Sequence, residues 1–334
     1  MRRLLPPPES VIDPARGTPA LGSYRGPLPP VDLAPLRRGT LFRLARHKRW
    51  TWVGIVSDEV FLGLAIVDLS YAASTFAFAV ERSSGRRLSD RSALGPGFLG
   101  SVNGFPEEGA EARFTLGRRR AAVVRPAGAT AWTVHAELDD LLLEARLEST
   151  GAPPPLSAIA EPRPGAIAAT QKRALLPVTG TLRAAGRTFD LDRAEAGIDY
   201  SHGYPPRHTV WNWCFALGRA RSGERVALNL VQGFVGEAEC VAWVGDVLYP
   251  LPEGRFTHDL RRPLAPWRVR TGDDAANLEF APQAMHREDR RLGVISSRFA
   301  QVAGHFHGTL ALPGRPPLEL DGVPGVVEDQ DMLW

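Results

Sequence analysis

Short β-rich runs, broken at close intervals by turn residues, dominate this chain. Arg49–Ser57, Val60–Leu69 and Tyr71–Glu81 come first, with hairpin character at Ser57-Asp58-Glu59. Ala112–Leu116, Ala121–Arg125, Ala131–Leu138 and Leu141–Ser149 follow, each bounded by Gly, Pro, Arg or an Asp pair. Helical periodicity is not sustained anywhere over more than a dozen residues. Leu175–Ala196 reads as strand–turn–strand because of Gly180 and Gly186. Such spacing predicts antiparallel β structure, a sandwich or barrel, and argues against alternating strands and helices.

Composition shifts suggest where the chain divides. Residues 1–38 are rich in Pro and Gly and predict an extended arm over the surface, or partial disorder. Gly151–Gly165 is the clearest later break, since proline cannot continue a strand interior. We therefore expect a β domain over 39–165 and a second over 166–334. The halves repeat in outline: Trp211-Asn212-Trp213 opens an apolar run as Trp50-Thr51-Trp52 does, and a polar turn and a second apolar run follow in each. Duplication of one β domain explains this order. The expected fold is all-β, with two lipocalin-like antiparallel barrels or curved sheets packed together.

Bulk properties exclude some functions. A net charge of +3 gives no electrostatic case for nucleic acid. Arg118-Arg119-Arg120 reads as a solvated turn. Lysine occurs only at Lys48 and Lys172, a bias that fits source-genome base composition. Two cysteines, Cys214 and Cys240, make no disulfide framework. The start lacks the apolar core of a signal peptide, and no window approaches a membrane span. The expectation is a cytoplasmic protein with no integral membrane segment.

Chemistry-bearing residues concentrate in Gly197–Phe215, read as a Gly/Pro-bent loop entering a strand. Asp199, Tyr204 and His202 are the candidate catalytic groups. Arg207, His208, Trp211, Trp213, Asn229 and Gln232 are candidate ligand contacts. Protonating an alkene or carbonyl in an apolar cavity needs an acid kept protonated by desolvation, with aromatic faces to meet the developing cation. Asp199 or Tyr204 fits the acid, and Trp211 and Trp213, at i and i+2, share a sheet face. A plain structural role competes: Asp199 bridging Arg207 in a buried loop, the indoles filling core, and Asn229 and Gln232 capping turns. Glu328 and Asp329 read foremost as a surface acidic turn, or else as a complement to Arg207 or the histidines. His305 and His307 share a strand face without a third ligand, so no metal centre is expected, and no cofactor. No Walker, GxGxxG, GxSxG or HExxH motif occurs.

The run Asp199-Tyr-Ser-His-Gly, then Pro206-Arg207-His-Thr, Trp211-x-Trp213 and Asn229-Leu-x-Gln-Gly233 resembles a widespread bacterial domain family of unknown function. Gly322…Val327-Glu328-Asp329…Trp334 resembles that family's ending. The resemblance covers most of the chain beyond Ala34. More distantly, the paired β domains and the Trp-x-Trp strand are similar to double lipocalin-like proteins, the carotenoid hydratases (hydroxyneurosporene synthase) and tocopherol cyclases. That resemblance implies two adjoining barrels, a small hydrophobic molecule as partner, and proton-driven chemistry on an isoprenoid. Three readings stay open: a binder of a lipid or isoprenoid-like molecule, a cofactor-independent hydratase, cyclase or isomerase, and a structural module.

Overall fold

The computed structural model describes residues 2–293 and 295–334. Among them, fourteen strands form one antiparallel sheet and nine a second, each curled into a half-barrel. The all-β class and the paired curved sheets are as the turn spacing predicts.

The first sheet is buried on both faces at its centre, and the period-two alternation of strand side chains shows how. Within Lys48–Val56, Val53 and Ile55 point into the interior of the first sheet, while Trp52 and Val56 point toward the second. Val60–Asp68 repeats this: Leu62, Leu64 and Ile66 inward, Phe61 and Ala65 outward. Strands covered on both faces need apolar residues at nearly every position, so these runs read as continuous rather than alternating. Phe76 and Phe78 extend the shared core toward the second sheet. Gly54 is required by this packing, because a Cβ there would stand 2.3 Å from the Trp52 ring.

The chain crosses between sheets later than the expected division at 165/166. Leu156–Ala160, inside the proline-rich segment, pairs with both Gly22–Arg25 and Ile167–Ala184. Ile167–Ala184 pairs in turn with Glu195–Tyr204, which pairs with Lys48–Val56. The second sheet begins only with His208–Arg219. Pro205 and Pro206 stand at the crossing, where residues without an N–H cannot extend the ladder. Prolines at 153–155 end a strand without ending a sheet. The N-terminal arm is docked: Val11, Ile12, Leu28, Val31 and Leu33 are buried in the first core, and Leu28 N donates to Gln171 Oε1 at 2.8 Å.

A second correction concerns Gly197–Tyr204. It is a central strand and not a loop. Its small and aromatic residues pack on both sides, so it carries no alternating polarity to betray a strand.

Candidate functional site

The two Trp-x-Trp strands meet where the sheets face each other. Trp50 stacks parallel to Trp211, with centroids 6.3 Å apart and planes 7° from parallel. Trp52 meets Trp213 edge-on at 5.1 Å and 86°. Around these four indoles lies a cavity of about 280 Å3, walled also by Phe76, Phe234, Phe299, Val67 and Leu94.

Two sets of polar groups stand out on this apolar wall, which also carries Ser74, Glu288, Arg290, Ser297 and Gln330. The first is an ion cluster. Lys172 Nζ lies 2.5 Å from Asp199 Oδ1 and 3.1 Å from Glu239 Oε2, and Thr170 Oγ1 donates to the same Glu239 oxygen at 2.8 Å. Burial alone would discharge Lys172, but the two carboxylates outweigh it and raise its pKa. Burial raises Glu239, against the pull of Lys172. The second centres on Glu328. Trp211 Nε1 donates to Oε1 at 2.8 Å and Gln301 Nε2 to Oε2 at 2.9 Å. Gln301 Oε1 accepts from Trp52 Nε1 at 3.1 Å. One indole of each sheet is thus tied, directly or through an amide, to one carboxyl. Burial pushes Glu328 up to about 7, despite those two hydrogen bonds. Such a carboxyl is protonated in a large fraction of molecules at neutral pH and holds a proton to give.

Two hydroxyls in the wall, Ser201 Oγ and Tyr71 Oη, are buried with no hydrogen-bond partner among the described residues. Buried polar groups are ordinarily paired, so both hydroxyls leave hydrogen-bonding capacity unused. Behind Tyr71, Lys48 Nζ sits 4.3 Å from the ring centre and donates to Ala45 O and Leu69 O. Burial, then the charge of Arg46, draws Lys48 down to about 7.

The residues singled out in the sequence separate onto different surfaces. Asp199, Trp211 and Trp213 line the cavity. His202 and Tyr204 sit on the opposite face of the strand that carries Asp199. Tyr200 Oη donates to Asn103 O at 2.9 Å, so His202 Nδ1–H donates to the phenol oxygen, also at 2.9 Å. His202 Nε2 then accepts from His47 Nε2 at 2.6 Å. Burial holds both imidazoles neutral, His47 at about 4. Tyr204 packs edge-on against Phe42 at 5.3 Å.

Arg207 and His208 are exposed outside the cavity, and His208 Nε2 lies 2.8 Å from Asp331. The bridge expected between Asp199 and Arg207 is replaced by Lys172 with Asp199, because Lys172 is directly opposite Asp199 in the ladder. Asn229 is buried behind Trp213, accepting from its Nε1 at 2.8 Å and donating to Glu239 O at 2.7 Å. Gln232 is exposed and caps Phe256 N at 2.8 Å.

Glu328, read from sequence as part of a surface turn, is a buried cavity residue, while Asp329 on the other face of its strand pairs with Arg298. His307 bonds Asp321 at 3.2 Å on the surface. Among the described residues no group of three His, Cys, Asp or Glu side chains is arranged to hold a metal. Sequence reasoning missed Lys172, Glu239, Gln301 and Ser201. One signal was available: the chain has only two lysines, and both are buried, Lys172 in the cavity wall and Lys48 behind Tyr71.

Residues 8–334 match the family model described as Domain of unknown function (DUF2804). The chain belongs to this family. Among solved structures, this DUF2804 chain is similar to kievitone hydratase from Nectria haematococca at 11% identity, covering 87% of this chain and 90% of that one, with a TM-score of 0.55. It is similar to a candidate AttH protein from Nitrosomonas europaea at 12% identity, covering 85% and 92%, with a TM-score of 0.53. A structure of CghA matches at 11% identity, covering 85% and 88%, with a TM-score of 0.51. At these identities the likeness is one of fold, the lipocalin-like double barrel. No curated protein sequence matches the chain. No described helix of this DUF2804 protein is long and apolar enough to cross a membrane.

Proposed function

We infer that this DUF2804 protein binds a hydrophobic or amphipathic small molecule, lipid or isoprenoid-like, between its two sheets. The observation that carries the reading is the cavity of about 280 Å3. It is walled by four indoles, with two unpartnered hydroxyls and an ion cluster at fixed places on the wall. An apolar enclosure with a few placed polar groups is the usual form of a small-molecule site. The apolar body of the guest lies against Trp50, Trp52, Trp211 and Trp213, and its polar end meets Ser201 beside Lys172. Arg207 takes no part.

The test is a melting-temperature screen of the protein against fractions of a lipid extract, with native mass spectrometry on any stabilising fraction. A retained apolar molecule that also quenches tryptophan fluorescence supports the reading. If no fraction shifts melting, it fails.

A second reading is favoured by Glu328: an acid-catalysed hydratase, cyclase or isomerase; kievitone hydratase, similar in fold, is a hydratase by name. Glu328 gives its proton to one carbon of an alkene, the indole faces stabilise the carbocation, and water adds at that cation. The added water returns a proton to the Glu328 carboxylate, so the acid is restored. Glu328→Gln then abolishes turnover while the guest still binds. Full turnover in that variant rules Glu328 out as the acid.

A further inference from the structure

We propose that the end of the molecule formed by the helix Thr40–Arg46 and the 3-10 turn Gly97–Leu99 docks on an anionic phospholipid surface. Three large apolar side chains stand in solvent there: Leu41 is 82% exposed, Phe98 85% and Leu44 49%. Leu41 and Leu44, at i and i+3, share one face of a helix that buries none of its residues. A single exposed leucine is ordinary. Three large apolar groups on two adjoining elements mark an interaction surface.

The two elements adjoin because both pack on the same turn, residues 69–71. Ser70 Oγ donates to His47 O at 2.9 Å, one residue past the helix. Gly97 N donates to Tyr71 O at 3.1 Å, and a Cβ on Gly97 would stand 2.0 Å from Ser70 O. Leu69 and Tyr71 of that turn line the cavity. Ala72, which pairs with Pro96 just before the 3-10 turn, and Leu94 line it too, and Tyr71, Ala72 and Leu94 are half-exposed. The exposed leucines and Phe98 therefore stand beside the rim of the cavity.

Charge selects the lipid. Between Asp32 and Asp58 the chain carries no carboxylate, but it carries Arg37, Arg38, Arg43, Arg46 and Arg49. Arg37, Arg38 and Arg43 are exposed, and so is Arg207. Arg207 belongs to the same end: burial, and next the charge of Arg207, lowers the Arg46 guanidinium from its ordinary value. Asp331, near His208, is already engaged by His208 and Arg298. A short helix with leucines in solvent and arginines around them is built for the interface of an anionic bilayer, where apolar groups enter the acyl boundary and guanidinium groups meet phosphate. The choice of a bilayer over an acidic protein rests on the ligand reading above, since a bilayer supplies apolar guests to the rim it covers.

Sedimentation of the full chain with vesicles decides the matter. Vesicles of phosphatidylcholine alone are compared with vesicles that also contain phosphatidylglycerol, at low and high salt. The expected result is binding to the anionic vesicles only, released by salt. R37Q and R43Q each lower partition roughly fivefold, and the triple variant Leu41→Gln, Leu44→Gln, Phe98→Gln abolishes it. All five side chains are exposed, so circular dichroism and melting temperature should stay as in the parent. Absence of binding to either vesicle overturns the proposal. So does anionic binding that survives the triple variant. Quenching of tryptophan by an apolar probe without vesicles reports the cavity separately, so either idea can fail alone.

Discussion

Lys172 and Asp199 stand directly opposite each other on neighbouring antiparallel strands, and their side chains join at 2.5 Å in the cavity wall. Glu239 reaches the same ammonium from the second sheet, so the cluster links the two sheets by charge. Removing one member leaves the others buried and uncompensated. Lys172→Met should lower stability by ~3–5 kcal/mol in urea denaturation. Arg207→Ala, at an exposed position, should change it by less than ~1 kcal/mol. Equal effects would mean that the cluster is not buried as described.

Glu328 should give stability an unusual pH slope. Burial raises its pKa from 4.5 to about 7 in the folded chain. Between those values the folded state binds more protons than the unfolded, so stability is full below the unfolded value and falls as pH rises toward 7. The fall from this group is of order ~3 kcal/mol at most. Denaturation across pH should show the slope in the parent chain and lose it in Glu328→Gln.

His47 acts in the opposite direction. Burial, then Arg49, Lys48 and Arg43, lowers it from 6.5 to about 4. In that window the unfolded state binds the proton, so this contribution is present above 6.5 and is lost as pH falls toward 4. His47→Gln should remove that acid-side loss while leaving the Glu328 slope in place. The two variants measured together separate the groups.

Asn229 and Gln232 look alike in sequence and should differ sharply as variants. Asn229→Ala strands the Trp213 N–H in a dry core and should cost ~1–3 kcal/mol or more. Gln232→Ala removes one exposed cap and should cost under ~1 kcal/mol. Thermal melts of both would check the pair.

Gly54 should control the Trp52 ring. Its missing Cβ leaves the space that the ring fills, so Gly54→Ala should displace Trp52 from Trp213 and Gln301. A shifted tryptophan emission and weakened binding of an apolar probe are the expected results. Unchanged emission would show that the ring has another place to lie.

The sequence alone determined the all-β class and the repeated Trp-x-Trp strands, because turn residues and strand composition are local properties. The proline-rich break at 151–165 does not coincide with the sheet crossing, since proline halts a strand wherever it falls and only pairing tells which sheet continues. Tertiary structure decided the site. Asp199 and Ser201 face the cavity while Tyr200, His202 and Tyr204 face away, a division that follows from strand alternation but was hidden in a segment buried on both faces. Lys172, Glu239, Gln301 and Glu328 come from strands or turns distant in the chain. Their roles arise from the ladder register and from burial, which moves a proton affinity only after the surrounding sheets have excluded water.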